Sequence, residues 1–217
     1  PRKGCSQLQR RGTPSPDAAA VLSGVERAIA FVSERLRRNP FAGARPAVLM
    51  HAGAPRAAAP AGLWSRGPFY AGRGWLVFPG TFADEHSALA AGAHEAAHAL
   101  LDATSRLRYA GEAGALHETF ARVMEDSVMI AAGADVRSDL PTDDVGRAMH
   151  SGFDALAAGS AAARLQAERV YLRTFTWLVP EDATAIVARA AALQAARDLR
   201  TDTARVARLA DAWRLTR

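Results

Sequence analysis

The sequence predicts an α+β fold that is mainly α-helical, with a small N-terminal β-sheet, two helices that carry the reactive residues, and a C-terminal bundle of helices. Alanine, the best helix former, supplies much of the 49% hydrophobic fraction, in runs such as residues 88–91 and 190–192. Residues 41–80 differ in composition, because glycines, prolines and aromatics separate short apolar runs there, and such runs are typical of short strands. From residue 84 onward the sequence is helical in character, so the sheet is confined to the N-terminal part.

The elements follow in order along the chain. Residues 1–16 are polar and interrupted by glycine and proline, which predicts a flexible lead-in. A first helix runs from Asp17, its predicted cap, to about Arg38, and Asn39-Pro40 ends it. The predicted strands lie at 47–50, 63–64 with 69–70, and 74–78. Further helices are expected at about 84–106, 112–133, 147–159, 162–178, 181–199 and 201–215, with Pro180 in the first turn of the penultimate one.

A loop at residues 134–146, which contains Pro141 and several aspartates, divides the helical region in two. We therefore expect three parts. These are a lead-in at 1–16, an N-terminal α+β lobe at 17–133 and a C-terminal helical lobe at 134–217.

Composition and charge exclude several classes of function. The 27 basic and 22 acidic residues give a net charge of +5, and the arginines are dispersed along the chain, so no nucleic-acid partner is expected. The single cysteine, Cys5, excludes an internal disulfide and a cysteine-rich zinc module. No apolar run approaches the ~20 residues that span a bilayer, so no membrane association is expected. The first residues do not form a signal peptide, and the missing initiator Met suggests a processed or excised chain; the compartment stays unassigned.

The central motif is His94-Glu95-Ala96-Ala97-His98. The i,i+4 spacing places both imidazoles on one face of a helix, where they can bind one metal ion. Glu95 lies about 100° around the helix from His94, within reach of a water at such an ion. A motif this short also occurs by chance, and histidines on an alanine-rich helix can be plain surface residues.

Glu118 supplies the third ligand that a catalytic zinc site requires. It lies early in the next predicted helix, and two helices joined by a short turn pack against each other, so that it can meet the middle of the first. The alternative is an exposed helix carboxylate. His117 is a competing ligand, but it points to another face of the helix and is expected to be a bystander or an outer partner.

The stretch from His94 to His98, followed by Gly114-Ala115-Leu116-His117-Glu118, resembles the thermolysin-like neutral zinc metallopeptidases, the gluzincins. The resemblance implies one catalytic Zn²⁺ held by His94, His98 and Glu118, with Glu95 as the general base. It also implies that Tyr109, which falls where this family keeps a tyrosine, stabilises the tetrahedral intermediate.

Weaker parts of the resemblance assign the substrate-binding residues. Ala61-Gly62-Leu63-Trp64 is similar to the family's edge strand, so that Gly62 and Trp64 would lie against the substrate, and Arg137 would bind a substrate carbonyl. His150, before Ser151-Gly152, is the candidate for the family's transition-state histidine. This requires a loop shift, because an ungapped match places Ala148 there.

Several departures mark a reduced or divergent member. Arg122 stands where the family has an aspartate that orients the first zinc histidine, and its guanidinium could instead pair with Glu118 and compete with the metal. Ala61 replaces the asparagine that clamps the substrate backbone. The acidic residues of the family's calcium sites are absent, so calcium is not expected.

The function that the resemblance implies is a zinc metalloendopeptidase acting on a peptide or protein substrate, secreted if it follows the family. One alternative is a catalytically impaired module that binds a peptide or protein. Another is a zinc hydrolase that acts on a non-peptide amide or ester. The oligomeric state stays unassigned.

Overall fold

The computed structural model describes residues 15–39, 41, 46–50, 67–134, 136 and 141–214. The helices are α1 (Pro16–Leu36), α2 (Glu85–Ala103), α3 (Gly111–Ala131), α4 (Asp144–Ala157), α5 (Ala161–Arg173), α6 (Ala185–Asp198) and α7 (Thr203–Ala212). The strands are β1 (Ala47–Met50), β2 (Phe69–Tyr70) and β3 (Trp75–Phe78), and a π-helical segment, Thr174–Leu178, continues α5. The predicted mainly helical α+β architecture is confirmed. Of the predicted lead-in, only Ser15 and Pro16 are described.

The first helix begins and ends differently from the prediction. Ser15, not Asp17, caps α1, because its hydroxyl accepts a hydrogen bond from the Ala18 amide at 3.3 Å. Asp17 instead accepts from the amide of Phe82 at 3.2 Å, which ties the start of α1 to the segment before α2. The helix ends at Leu36, ahead of Asn39-Pro40, because Arg37 adopts a left-handed conformation with φ 52°.

The sheet has the strand order β1-β3-β2, with β1 parallel and β2 antiparallel to the central β3. Leu76, Val77 and Phe78 of β3 are buried, which joins the sheet to the hydrophobic core. The predicted strand at 63–64 lies outside the described residues.

Two glycines allow α1 and α2 to pack at backbone distance. A Cβ on Gly24 would lie 2.0 Å from the carbonyl oxygen of Leu89, and one on Gly92 would lie 2.3 Å from that of Val21. No larger side chain fits either position without moving a helix. This contact fixes α2, which carries the two motif histidines, against the long first helix.

The C-terminal helices differ from the prediction at their ends. Pro180 is not in the first turn of α6, because this helix begins at Ala185 with Thr184 as its cap, and Pro180 lies in the preceding turn. The helix α4 begins earlier than predicted, because the Asp143 side chain accepts from the Gly146 amide and caps it. Buried residues from both predicted lobes belong to one hydrophobic cluster, and the division at residue 134 stays a prediction. Among the described residues, the helices are all too short or too polar to cross a bilayer.

Candidate metal centre

The helices α2 and α3 bring together the three residues that the sequence predicts as ligands. His94 and His98 lie on α2, Glu118 lies on α3, and residues 104–110 connect the two helices. One oxygen of the Glu118 carboxylate lies 3.4 Å from Nε2 of His94, and the other lies 3.6 Å from Nε2 of His98. The three potential ligand atoms all lie within 4.8 Å of one another, which is a spacing that one metal ion can bridge.

Each imidazole forms a hydrogen bond through Nδ1, the ring nitrogen that does not face Glu118. Nδ1 of His94 hydrogen-bonds Oε2 of Glu125 at 2.9 Å, and Nδ1 of His98 hydrogen-bonds Nδ1 of His117 at 2.8 Å. These contacts fix the rings so that both Nε2 atoms point toward Glu118. His117, expected as a bystander or an outer partner, is the outer partner of His98.

Arg122 does not pair with Glu118, contrary to the competition that the sequence allowed. Its guanidinium contacts Oε2 of Glu125 at 3.3 Å, the same oxygen that holds His94. The carboxylate that contacts Nδ1 of His94 therefore comes from Glu125, one turn beyond Arg122. Glu118 stays free of the guanidinium.

The two motif histidines have opposite protonation tendencies. Burial lowers the pKa of His98 well below its usual value, and nearby His94 and His117 lower it further. Burial also acts to lower the pKa of His94, but its hydrogen bonds with Glu118 and Glu125 outweigh this effect and raise the pKa to about 9. The carboxylates of Glu118 and Glu125 therefore favour the protonated form of His94, whereas burial and the neighbouring histidines favour the neutral form of His98.

Glu95 is a buried carboxyl group beside the three residues, with only 4% of its surface exposed. Its Oε2 atom has no hydrogen-bond partner among the described residues. Burial raises the pKa of Glu95 to about 7, against the lowering effect of the His94 charge. An unpartnered buried carboxylate oxygen is costly unless a water, substrate or ion completes its bonding.

Tyr109 lies at the rim of the site. Its hydroxyl donates a hydrogen bond to Oε1 of Glu118, and the residue is 65% exposed. The ring stands edge-on to those of His98 and His117, with centroids 5.8 and 5.3 Å away. The exposed ring thus covers one edge of the site, with its hydroxyl on the Glu118 carboxylate.

Two cavities meet at the site and share Pro68, His94 and Glu95 as lining residues. The larger, of about 600 Å³, lies between β2 and the α2–α3 turn and contains Tyr109 in its wall. The smaller, of about 360 Å³, lies along the N-terminal half of α2 and contains Arg122 in its wall. An extended polypeptide that passes Glu95 can therefore occupy the cavity on either side of this residue.

The structure does not bring His150 to the three ligand candidates. Its Nδ1 atom lies 3.2 Å from Asp154 and its Nε2 atom 3.8 Å from Asp126. Hydrogen bonds with Asp126 and Asp154 raise the pKa of His150 to about 9, despite partial burial. His150 is not among the described residues that line the two cavities, although Asp126 lines the smaller one. Gly62, Trp64 and Arg137, predicted to bind substrate, lie outside the described residues.

Glu125, which contacts His94, is a residue of the candidate site that the sequence does not predict. The resemblance points to the position one turn after Glu118, whereas Glu125 lies two turns after it, on the same face of α3. The periodicity of the helix was the available signal, because residues two turns apart share a face.

No protein-family model and no curated protein matches the chain. Its structure is similar to that of the precursor of protealysin, a metalloproteinase from Serratia proteamaculans. The TM-score is 0.71 at 15% sequence identity, and the similarity covers 95% of this chain and 80% of that one. At this identity the similarity shows the fold alone, which is the thermolysin-like, mainly helical α+β fold. The chain thus has the fold of a metalloproteinase precursor, and it brings together His94, His98 and Glu118, three side chains that could hold a metal ion.

Proposed function

We propose that the protein is a zinc-dependent hydrolase of the gluzincin type, and that it cleaves peptide bonds. The observation that carries this proposal is the convergence of His94, His98 and Glu118 beside the buried, unpartnered oxygen of Glu95. A surface carboxylate that met two histidines by accident would not explain the buried acid next to them.

The residues present fit a catalytic zinc ion. Two imidazole nitrogens and one carboxylate oxygen are a donor set that catalytic zinc sites use, with one position left for water. The Nδ1 contacts with Glu125 and His117 are the kind of outer hydrogen bonds that orient zinc histidines. A cysteine is not needed for this donor set, in agreement with the composition.

Zinc, when bound, supplies a Lewis acid that polarises a carbonyl group and lowers the pKa of water toward ~7. Glu95 accepts a proton from the attacking water and later delivers it to the amine that leaves, which requires a carboxyl group close to the three ligands. Tyr109, once released from Glu118, donates a hydrogen bond from its hydroxyl to the carbonyl oxygen as negative charge develops there. His150 can serve as a second donor only if it leaves Asp126 and Asp154.

The shape of the cleft favours a peptide over a small ester. Cavities of about 600 and 360 Å³ lie on either side of Glu95, so that residues on both sides of a scissile bond have space. Gly62 and Trp64, pairing with the substrate, and Arg137, binding one of its carbonyls, complete this proposal.

The second candidate is a peptide-binding module without catalysis. In its favour, both ring nitrogens of His94 contact carboxylates, those of Glu118 and Glu125, without any metal. The two candidates differ in their need for metal. A zinc hydrolase stops cleaving its substrate when the ion is removed, whereas a binding module of this kind binds its peptide without the ion.

The test is cleavage of an unfolded protein substrate by purified, zinc-loaded protein, followed by separation of the fragments. We expect cleavage that a chelator abolishes and added zinc restores, and that Glu95→Gln reduces at least 100-fold, because one general base contributes about 10²–10⁴ in rate. Glu26→Gln is the matched control, since Glu26 is exposed on α1, away from both cavities.

Unchanged cleavage by Glu95→Gln would overturn the mechanism. Peptide binding with no cleavage by the zinc-loaded protein would favour the binding module. Cleavage of small amides or esters alone would show a non-peptide substrate.

A further inference from the structure

A third cavity, of about 480 Å³, lies at the C-terminal end of α1, where this helix meets α5 and the π-helical segment. None of its lining residues lines either cavity of the metal centre. Its wall contains Trp177 and a group of arginines that we call the arginine cluster: Arg35, Arg37, Arg38, Arg169 and Arg173. Residues far apart in sequence thus bring like charges to one concave surface.

Two members of the cluster are neutralised by carboxylates. Arg35 pairs with Glu34 at 2.7 Å and with Glu168 at 2.8 Å, and Arg173 pairs with Asp198 at 2.5 Å.

The other three members, Arg37, Arg38 and Arg169, form no ion pair with a carboxylate in the part of the chain that the structure describes. Guanidinium groups stay charged at any physiological pH, so their mutual repulsion opposes this arrangement. A bound anion would remove that repulsion.

Trp177 gives the cavity an aromatic wall. Its side chain is 63% exposed, and the Arg38 guanidinium lies over its ring, 4.7 Å from the centroid. The residue belongs to the π-helical segment Thr174–Leu178, and Thr176 of the same segment also lines the cavity. Short π-helical turns occur frequently at functional sites, because the extra residue redirects side chains.

We propose that this cavity binds a small phosphorylated molecule that carries at least two negative charges. Planar guanidinium groups match the geometry of phosphate oxygens through paired N–H bonds. Three arginines without carboxylate partners favour a doubly or more highly charged group over a single carboxylate. The volume lies within the ~300–1,000 Å³ range of small-molecule sites, so the occupant is a compact ligand and not a nucleic-acid strand.

The first test is a titration of the purified protein with inorganic pyrophosphate at ~0.15 M ionic strength, where exposed charges are largely screened. Calorimetry measures binding, and tryptophan fluorescence reports Trp177, with Trp177→Phe assigning the signal. We expect saturable binding of one pyrophosphate per chain, and binding at least about tenfold weaker in Arg38→Gln/Arg169→Gln, because charge-assisted hydrogen bonds are lost.

The matched control for each single cluster variant is Arg208→Gln, which likewise removes one positive charge, from an exposed position on α7 outside the cavity. We expect it to bind as the unaltered chain does. Arg38→Gln and Arg169→Gln are also measured singly, so that a folding failure of the double variant, detected by thermal unfolding, leaves the comparison intact.

A second titration uses adenosine diphosphate. Tighter binding than that of pyrophosphate, lost in Trp177→Phe, would support a contact between the ligand's ring and Trp177. Equal binding would support recognition of the phosphates alone.

Three results would overturn the proposal. One is the absence of saturable binding of both probes. Another is equal weakening by Arg208→Gln and by the cluster variants, which would indicate a general charge effect. The third is binding of a short single-stranded oligonucleotide with no binding of pyrophosphate.

Discussion

Replacing Glu125 with glutamine tests whether this carboxylate, on α3, orients the imidazole of His94 for metal binding. The substitution keeps the shape of the side chain but removes the charge that faces Nδ1 of His94 at 2.9 Å. Outer carboxylates of this kind change metal affinity by about 10–100-fold. Each tenfold corresponds to about 1.4 kcal/mol, so we expect zinc binding to weaken by about 1.4–2.8 kcal/mol.

The assay is competition for zinc between the protein and a chromophoric chelator, with all variants compared at the same pH. Glu85→Gln is the matched control, because Glu85 is exposed in the first turn of α2 and lines neither cavity of the metal centre. An affinity of Glu125→Gln that equals that of the control would refute the assigned role. Arg122→Gln separates the two contacts of Glu125, since it removes the guanidinium and leaves the carboxylate on His94.

Three further predictions concern packing, pH and catalysis. Gly92→Ala should lower the free energy of unfolding by about 1–3 kcal/mol, because its Cβ would lie 2.3 Å from a carbonyl oxygen of α1, and chemical denaturation measures this. His150→Gln should lower the free energy of unfolding by about 1–2 kcal/mol below pH ~6.5, after a discount for partial exposure. Because the pKa of His150 in the folded protein is raised to about 9, this loss of stability should vanish as the pH rises through that value. Tyr109→Phe should lower kcat about 100-fold with little change in KM, because the hydroxyl acts as charge develops on the substrate.

Each of these predictions has a result that contradicts it. Gly80→Ala is the control for the glycine, since a Cβ there meets nothing within 4 Å, and equal stabilities of the two variants would be inconsistent with the close helix contact. A destabilisation by His150→Gln that is the same at pH 6 and pH 10 would show that the ion pairs contribute nothing. An unchanged kcat in Tyr109→Phe would remove the tyrosine from the mechanism.

The helices, and the proximity of the three ligand candidates, can be predicted from the sequence because both depend on local spacing. The i,i+4 histidines need only one continuous helix, and Glu118 needs only a short turn to the next. Both conditions are satisfied locally, so the three side chains converge as expected.

Helix ends were predicted less well because capping depends on which side chain turns back onto the backbone. Ser15 and Asp17 are both good caps by residue type, and the contact of Asp17 with Phe82 is a tertiary contact that no local pattern contains. Pro180 is suited to a first turn, but Thr184 caps the helix four residues later.

Contacts between distant segments were not predictable from local patterns. The arginines looked dispersed because Arg35, Arg37 and Arg38 are separated in sequence from Arg169 and Arg173, and only the packing of α1 near α5 gathers them. Similarly, His150 precedes Ser151-Gly152 as the resemblance requires, yet Asp126 and Asp154 hold it beside the cleft.

The zinc content of the purified protein tests the central claim most directly, because His94, His98 and Glu118 must share one ion. Elemental analysis after dialysis against zinc, with X-ray absorption at the zinc edge, should give about one ion per chain with nitrogen and oxygen ligands only. Glu118→Ala should lose most of this zinc. A protein that binds no zinc, or a Glu118→Ala variant that binds it with undiminished affinity, would contradict the account.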